Sequence, residues 1–195
     1  MCPWVSSNQL RLYYCEWVGV ECYIKMAERS STEDTWSYIR AFDEIHENGI
    51  SDSQPTLTAD GLMMFYVRKI DGGKYIWKAT RPSIEEPFSE IAEVSELNDP
   101  CNTVDHPSIL PDGLTIYFNS QSDDPEQSIY KATRSSIGDP FGDIELLEFC
   151  EPDKRESSPY VTPDEETVYY RGNLTGWGIY VTHKVSFEVG GCLPR

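Results

Sequence analysis

PSILPDGLTIYFNSQSDDPEQSIYKATR, residues 107–134, decides the fold. The stretch reads as strand, tight turn, strand, loop, strand. Altered copies begin at Pro3 (PWVSSNQLRLYYCEWVGVECYIKMAER), Pro55 (PTLTADGLMMFYVRKIDGGKYIWKATR) and Pro159 (PYVTPDEETVYYRGNLTGWGIYVTHK). The four prolines stand at 3, 55, 107 and 159, each 52 after the last. A fixed period of this size marks a repeat architecture. Asp60-Gly61 and Asp112-Gly113 predict a hairpin turn whose two central residues take unusual backbone angles. Repeat four keeps Pro163-Asp164 but has Glu165 in place of the glycine, which predicts a looser turn or one of another type.

Leu62 to Val67 (LMMFYV) and residues 114–118 (LTIYF) show no polar alternation. Strands apolar on both sides must be covered on both faces. That excludes a one-sided meander and favours stacked sheets. Outer strands are predicted within 37–45, 89–97 and 143–149. Each unit is then a four-stranded antiparallel meander, and radial packing of such units makes a β-propeller. The expected fold is all-β, one domain of four repeats spanning about 3–52, 53–104, 105–156 and 157–195. Little chain follows Lys184, so the fourth unit is expected to be incomplete, and a segment of a larger propeller is among the expectations.

Lys and Arg number 16 against 33 Asp and Glu, a net charge of −17. Such a surface repels nucleic acid and anionic lipid at long range. No run approaches the ~18 apolar residues of a membrane span. No nucleic-acid partner and no membrane insertion are expected. The first residues lack a basic stretch followed by an apolar one, so no secretory signal is visible. The six cysteines form no CxxC pair. Free, mostly buried thiols are expected, with Cys15 and Cys22 the one pair placed to bridge across a hairpin.

Pro-x-x-x-x-Asp-Gly before an aromatic strand, then Ile-Tyr-x-Ala-Thr-Arg and a Pro-Phe exit loop, resembles the TolB-type, WD-like repeat of bacterial propellers. Repeats two and three match it well, repeat two with Trp77 in the tyrosine's place, and repeat four matches its first half. Repeat one keeps Pro3 and Arg29 but has Asn8-Gln9 for Asp-Gly. The resemblance implies a propeller, a bacterial origin and a cell-envelope or periplasmic location. It leaves function open, because propellers host binding modules and enzymes alike.

Two sets of residues are candidates for roles. Asp60, Gly61, Arg81, Asp112, Gly113, Arg134 and Asp164 recur once per unit and are expected to be architectural, tying turn, exit loop and neighbouring unit together. The loops after each second strand, with the links between units, should share one end of the propeller. There Asp105, His106, Asp123, Asp124, Glu126, Glu156 and Trp177 are the candidate binding residues, within an acidic set that also counts Asp52. Asp105-His106 is unique to its unit, its counterparts being Ser53-Gln54 and Ser157-Ser158, and should sit beside the central channel. The carboxylates suit a basic peptide by charge, or a hard cation such as Ca²⁺, although no spaced D-x-D-x-D set is present. No cofactor is expected. The first expectation is a non-enzymatic binding or scaffold module with a protein or peptide partner. The alternatives are a propeller glycoside hydrolase using two loop-face carboxylates, and a partial ring completed by oligomerisation through open edge strands. No GxSxG elbow or Gly-rich phosphate loop supports other chemistry.

Overall fold

A computed structural model of the chain describes residues 3–98, 103–120, 128–147, 150, 155–173, 176–183 and the strand 187–188. Four antiparallel sheets follow one another along the chain. The first holds β1 (Trp4–Val5), β2 (Arg11–Val18), β3 (Glu21–Glu28) and β4 (Ser37–Ala41). The second holds β5 (Ser51–Leu57), β6 (Met63–Ile70), β7 (Gly73–Thr80) and β8 (Glu90–Glu93). A one-turn helix α1 (Ser95–Asn98) leads on, where the sequence predicted strand through residue 97. The third sheet holds β9 (Val104–Ile109), β10 (Thr115–Ser120), β11 (Ser128–Thr133) and β12 (Gly142–Leu147), and the fourth β13 (Glu156–Val161), β14 (Thr167–Gly172) and β15 (Gly178–His183). The last strand, β16 (Phe187–Glu188), pairs with β12 and so becomes a fifth strand of the third sheet. The fold is a four-bladed β-propeller arrangement, and its fourth blade has three strands among the described residues.

The doubly apolar strands explain the packing. Each blade has a leading face toward its predecessor and a trailing face toward its successor. In β6, Phe65 points to blade three while Met64 and Tyr66 point to blade one. Fifty-two residues later, Tyr117 points to blade four while Ile116 and Phe118 point back to blade two. One sequence position therefore always serves the same side. Three apolar clusters result, one between each consecutive pair of blades.

The repeated turn differs from its prediction. Gly61 and Gly113 have φ of +69° and +73°, but the preceding aspartates are not left-handed. Gln9 and Glu165 occupy the glycine's place with φ of +59° and +57°. Glu165 donates its N–H to the Thr162 carbonyl at 2.8 Å, as Gly61 does to Thr58 at 2.9 Å. The turn of repeat four is thus the same turn, not a looser one. Glu165 is held in it from outside: its carboxylate accepts from Tyr117 Oη at 2.5 Å and Lys131 Nζ at 2.9 Å, both on blade three. These contacts offset the roughly 1–2 kcal/mol that a left-handed non-glycine residue costs.

The repeated prolines also stand elsewhere than their opening position suggests. Pro55, Pro107 and Pro159 lie inside the first strands. There the ladder skips a residue: Ser53 and Thr56 pair with Val67 and Phe65, Asp105 and Ser108 with Asn119 and Tyr117, Ser157 and Tyr160 with Arg171 and Tyr169. Proline, having no N–H, suits such a bulge.

Candidate functional site: the axial recess

The three bulges meet at the centre. The residue before each proline is left-handed: Gln54 at +56°, His106 at +52° and Ser158 at +56°. Backbone in this conformation turns the side chain out of the pleat, and a non-glycine residue there usually has a reason. With Trp4, Thr56, Ser108, Tyr160 and Pro3, Pro55, Pro107 and Pro159, these residues line a recess of about 200 Å³ contributed by all four first strands.

Its polar groups are fixed by one another. The His106 N–H, freed from the ladder by the bulge, donates to Gln54 Oε1 at 2.6 Å. That bond sets the Gln54 amide so that its nitrogen faces His106 Nε2, at 3.3 Å. On the other side, His106 Nδ1 lies 2.8 Å from Asp105 Oδ1. Nδ1 therefore donates to the carboxylate, and Nε2 accepts from the amide. Asp105 is buried and its second oxygen takes Lys74 Nζ. Burial would raise the Asp105 carboxyl, but the hydrogen bond from His106 and the hydrogen bond and charge of Lys74 outweigh it and hold it below the usual carboxylate range. At the next bulge, the Ser158 N–H donates to Asn119 Oδ1 at 2.8 Å, and Asn119 Nδ2 reaches the Glu156 carbonyl at 2.7 Å.

The other candidates lie apart. Asp123, Asp124 and Glu126 fall outside the described residues. Glu156 is fully buried at the start of β13 and does not line the recess. Trp177 is exposed, with the Arg171 guanidinium 4.7 Å from its ring centre, in a hollow on the trailing face of blade four. Asp52, counted in the acidic loop set, is buried and holds Arg68 through both oxygens at 2.8 and 3.1 Å. Cys15 and Cys22 are free and buried, and burial with the facing Cys15 thiol pushes the Cys22 thiol up to about 12. Among the described residues, no group of three or more His, Cys, Asp or Glu is placed to hold a metal ion. No described helix is long and apolar enough to cross a membrane. Gln54 and Lys74 have no outstanding mark in the sequence, though the alignment of Gln54 with His106 and Ser158 was a signal for the axis.

The recurrent Asp and Arg residues make a second pattern. Asp60 Oδ1 accepts from Thr58 Oγ1 at 2.6 Å and Leu62 N–H at 3.0 Å; Asp164 does the same with Thr162 and Glu166 at 2.6 and 3.1 Å, and Asp112 takes Leu114 N–H at 2.9 Å. Arg81 Nε donates to the Gly61 carbonyl and Nη1 to that of Ile84, at 2.9 and 3.2 Å. Arg134 treats Gly113 and Ile137 likewise, both at 2.8 Å. Their remaining Nη2 crosses to the preceding blade: Arg81 to Tyr13 Oη at 3.0 Å, Arg134 to Met63 Sδ at 3.3 Å.

Comparison with solved structures agrees with this architecture. TolB from Acinetobacter baumannii superposes with a TM-score of 0.65 at 16% identity, covering 96% of this chain and 42% of that one. A putative TolB from Agrobacterium tumefaciens gives 0.64 at 15%, over 94% of this chain and 62% of that one. A thermostable family-43 glycoside hydrolase gives 0.62 at 14%, over 99% and 75%. The fold is a TolB-type β-propeller. The chain spans less than two thirds of either TolB structure's length. No protein-family model matches it, and no curated protein does.

Proposed function

We propose that the chain is a non-enzymatic binding module whose axial recess takes a basic segment of a protein or peptide. One observation carries this: both ring nitrogens of His106 and both oxygens of Asp105 are engaged within the fold. Groups so engaged shape a surface rather than stand ready to move protons. The recess is small, aromatic at Trp4 and Tyr160, and polar at Gln54, His106 and Ser158. It suits one side chain of an extended partner. The net charge of −17 steers cationic segments toward it.

Titration of the chain with a Lys/Arg-rich peptide and with a Glu/Asp-rich one of equal length tests this. Binding of the basic peptide alone is expected, weakening as salt shortens the Debye length. Trp4→Ala and Ser158→Ala should lower its affinity roughly tenfold, on the scale of a lost buried contact. Equal binding of both peptides, or turnover on a glycan panel abolished by one Asp or Glu substitution, would overturn the proposal.

A further inference from the structure

The two ends of the blade series carry faces that the repeat itself covers everywhere else. Ile24, Ile76 and Ile129 occupy one position of the third strand, opposite Cys15, Val67 and Asn119, and are 2%, 0% and 0% exposed. Each lies beneath the following blade. Ile179, in the same position opposite Arg171, is 83% exposed. Tyr169, counterpart of Tyr13, Phe65 and Tyr117, is 45% exposed where they are 1%, 0% and 0%. Together with Tyr160, Val181 and Trp177 these residues make an apolar trailing face, hollowed by about 520 Å³.

The leading face of blade one is its counterpart. Val5 is 43% exposed, where Leu57, Ile109 and Val161 at the same position are 1%, 6% and 4%. Leu12 and Tyr14 are half-buried, where the corresponding Met64, Tyr66, Ile116 and Phe118 are fully buried. Arg29 is also set as its equivalents are. Its Nε donates to the Gln9 carbonyl and Nη1 to that of Thr32, both at 2.8 Å, with the guanidinium 4.4 Å from the Trp36 ring centre. Arg81 and Arg134 have the same two bonds and stack on Phe88 and Phe141, each at 4.5 Å. Only their third arm differs, because it needs a preceding blade. Arg81 finds the hydroxyl of Tyr13 there. The residue at Tyr13's position on blade four is also a tyrosine, Tyr169.

We infer that the trailing face of blade four is a docking surface for the leading face of blade one of a second copy of this chain. Val5 and Tyr14 of the second copy lie over Tyr169 and Ile179, and its Arg29 reaches Tyr169 Oη as Arg81 reaches Tyr13. The contact is face to face between blades, not an extension of a sheet edge. It is heterologous: each copy offers one face of each kind. If the rotation closes, two copies form one ring of blades through two such contacts. A second copy needs no new surface chemistry, since every consecutive blade pair within the chain already makes this contact. The inference does not rest on the axial recess.

Sedimentation equilibrium of the whole chain over a wide concentration range tests it. The wild type should self-associate. Ile179→Glu and Val5→Glu should each weaken association on the order of 100-fold, because each places an unpaired charge in an apolar contact. Both residues are solvent-accessible, so the melting midpoint at monomeric concentration should not move, and a circular dichroism melt verifies folding. An equimolar mixture of the two variants should regain a single-contact dimer, since one supplies the intact leading face and the other the intact trailing face. Tyr169→Phe should weaken association several-fold. A wild type that stays monomeric overturns the inference and assigns the face to a further blade on a longer polypeptide or to another protein. Undiminished association of Val5→Glu alone overturns it too, because that is the signature of two trailing faces meeting symmetrically.

Discussion

Phe65 and Tyr169 stand at one position of one repeat, 104 residues apart, and live in opposite surroundings. Phe65 is sealed between blades two and three, edge-on to Phe141 with ring centres 5.8 Å apart. Tyr169 leans toward Tyr160 at 6.3 Å and meets solvent. The local strand is nearly the same in both. What differs is the neighbour, so the energy of this fold resides between blades more than within them. A repeat of this kind specifies a sticky face at every position and relies on the next unit to cover it.

The sharpest way to break that comparison is to truncate both residues. Phe65→Ala should cost about 3–5 kcal/mol by opening a cavity between two blades. Tyr169→Ala, measured at a concentration where the chain is monomeric, should stay within about 0.5 kcal/mol. Equal costs in urea unfolding would mean that blade four contributes to the core as the others do. The arginine latches give the next contrast. Arg134→Met leaves the Gly113 carbonyl, accepting in a buried bond, and the partly buried Ile137 carbonyl without this donor, and should cost about 1–3 kcal/mol. Arg29→Met, where water can replace the guanidinium, should cost no more than about 1 kcal/mol.

Smaller effects sharpen the picture at the turns. Asp112→Ala removes the acceptor for Leu114 N–H and should lower stability by about 1 kcal/mol, read as a shift of the melting midpoint. Glu165→Gln tests the latch on blade three. Burial would raise the Glu165 carboxyl, but Tyr117 and Lys131 outweigh it and hold it below the usual range. Its contribution is therefore complete above the unfolded pKa and fades as pH falls through the folded one. The variant should be less stable than wild type by about 0.5 kcal/mol at pH 7, and the difference should shrink as pH falls below the unfolded glutamate value of about 4.3 and through the lower folded one. A gap that stays constant as the acid range is titrated would mean the carboxylate's charge is not what the latch uses.

Much of the fold was legible because periodicity needs no structure to be seen. The 52-residue interval, the aromatic second strands and the Asp-Gly pairs fixed the blades and their order. Other features were hidden because the same letters have two physical outcomes. Glu165 reads as a damaged turn, yet its side chain finds partners on another blade that no local rule includes. The prolines read as unit openings, yet their missing N–H places them inside bulges. Asp52 reads as one more acid in a loop, but Arg68 draws it into the interior. At the axis, Asp105 and His106 stood out by being unique within their unit. Lys74 did not, since its approach to Asp105 depends on how blades two and three lie side by side.

The return of β16 to blade three bears on how the molecule comes apart. Blade four leaves the third sheet after β12, and the chain comes back to pair with that same β12 through Leu146–Glu188 and Leu147–Phe187. The last blade is therefore a loop fastened at its base rather than a free end. Pulled from the residue after β16, the chain must release that strand from blade three before it can peel blade four. The outermost unit by position is not the first to bear the load, and the small two-residue pairing acts as a shear pin between the last two blades.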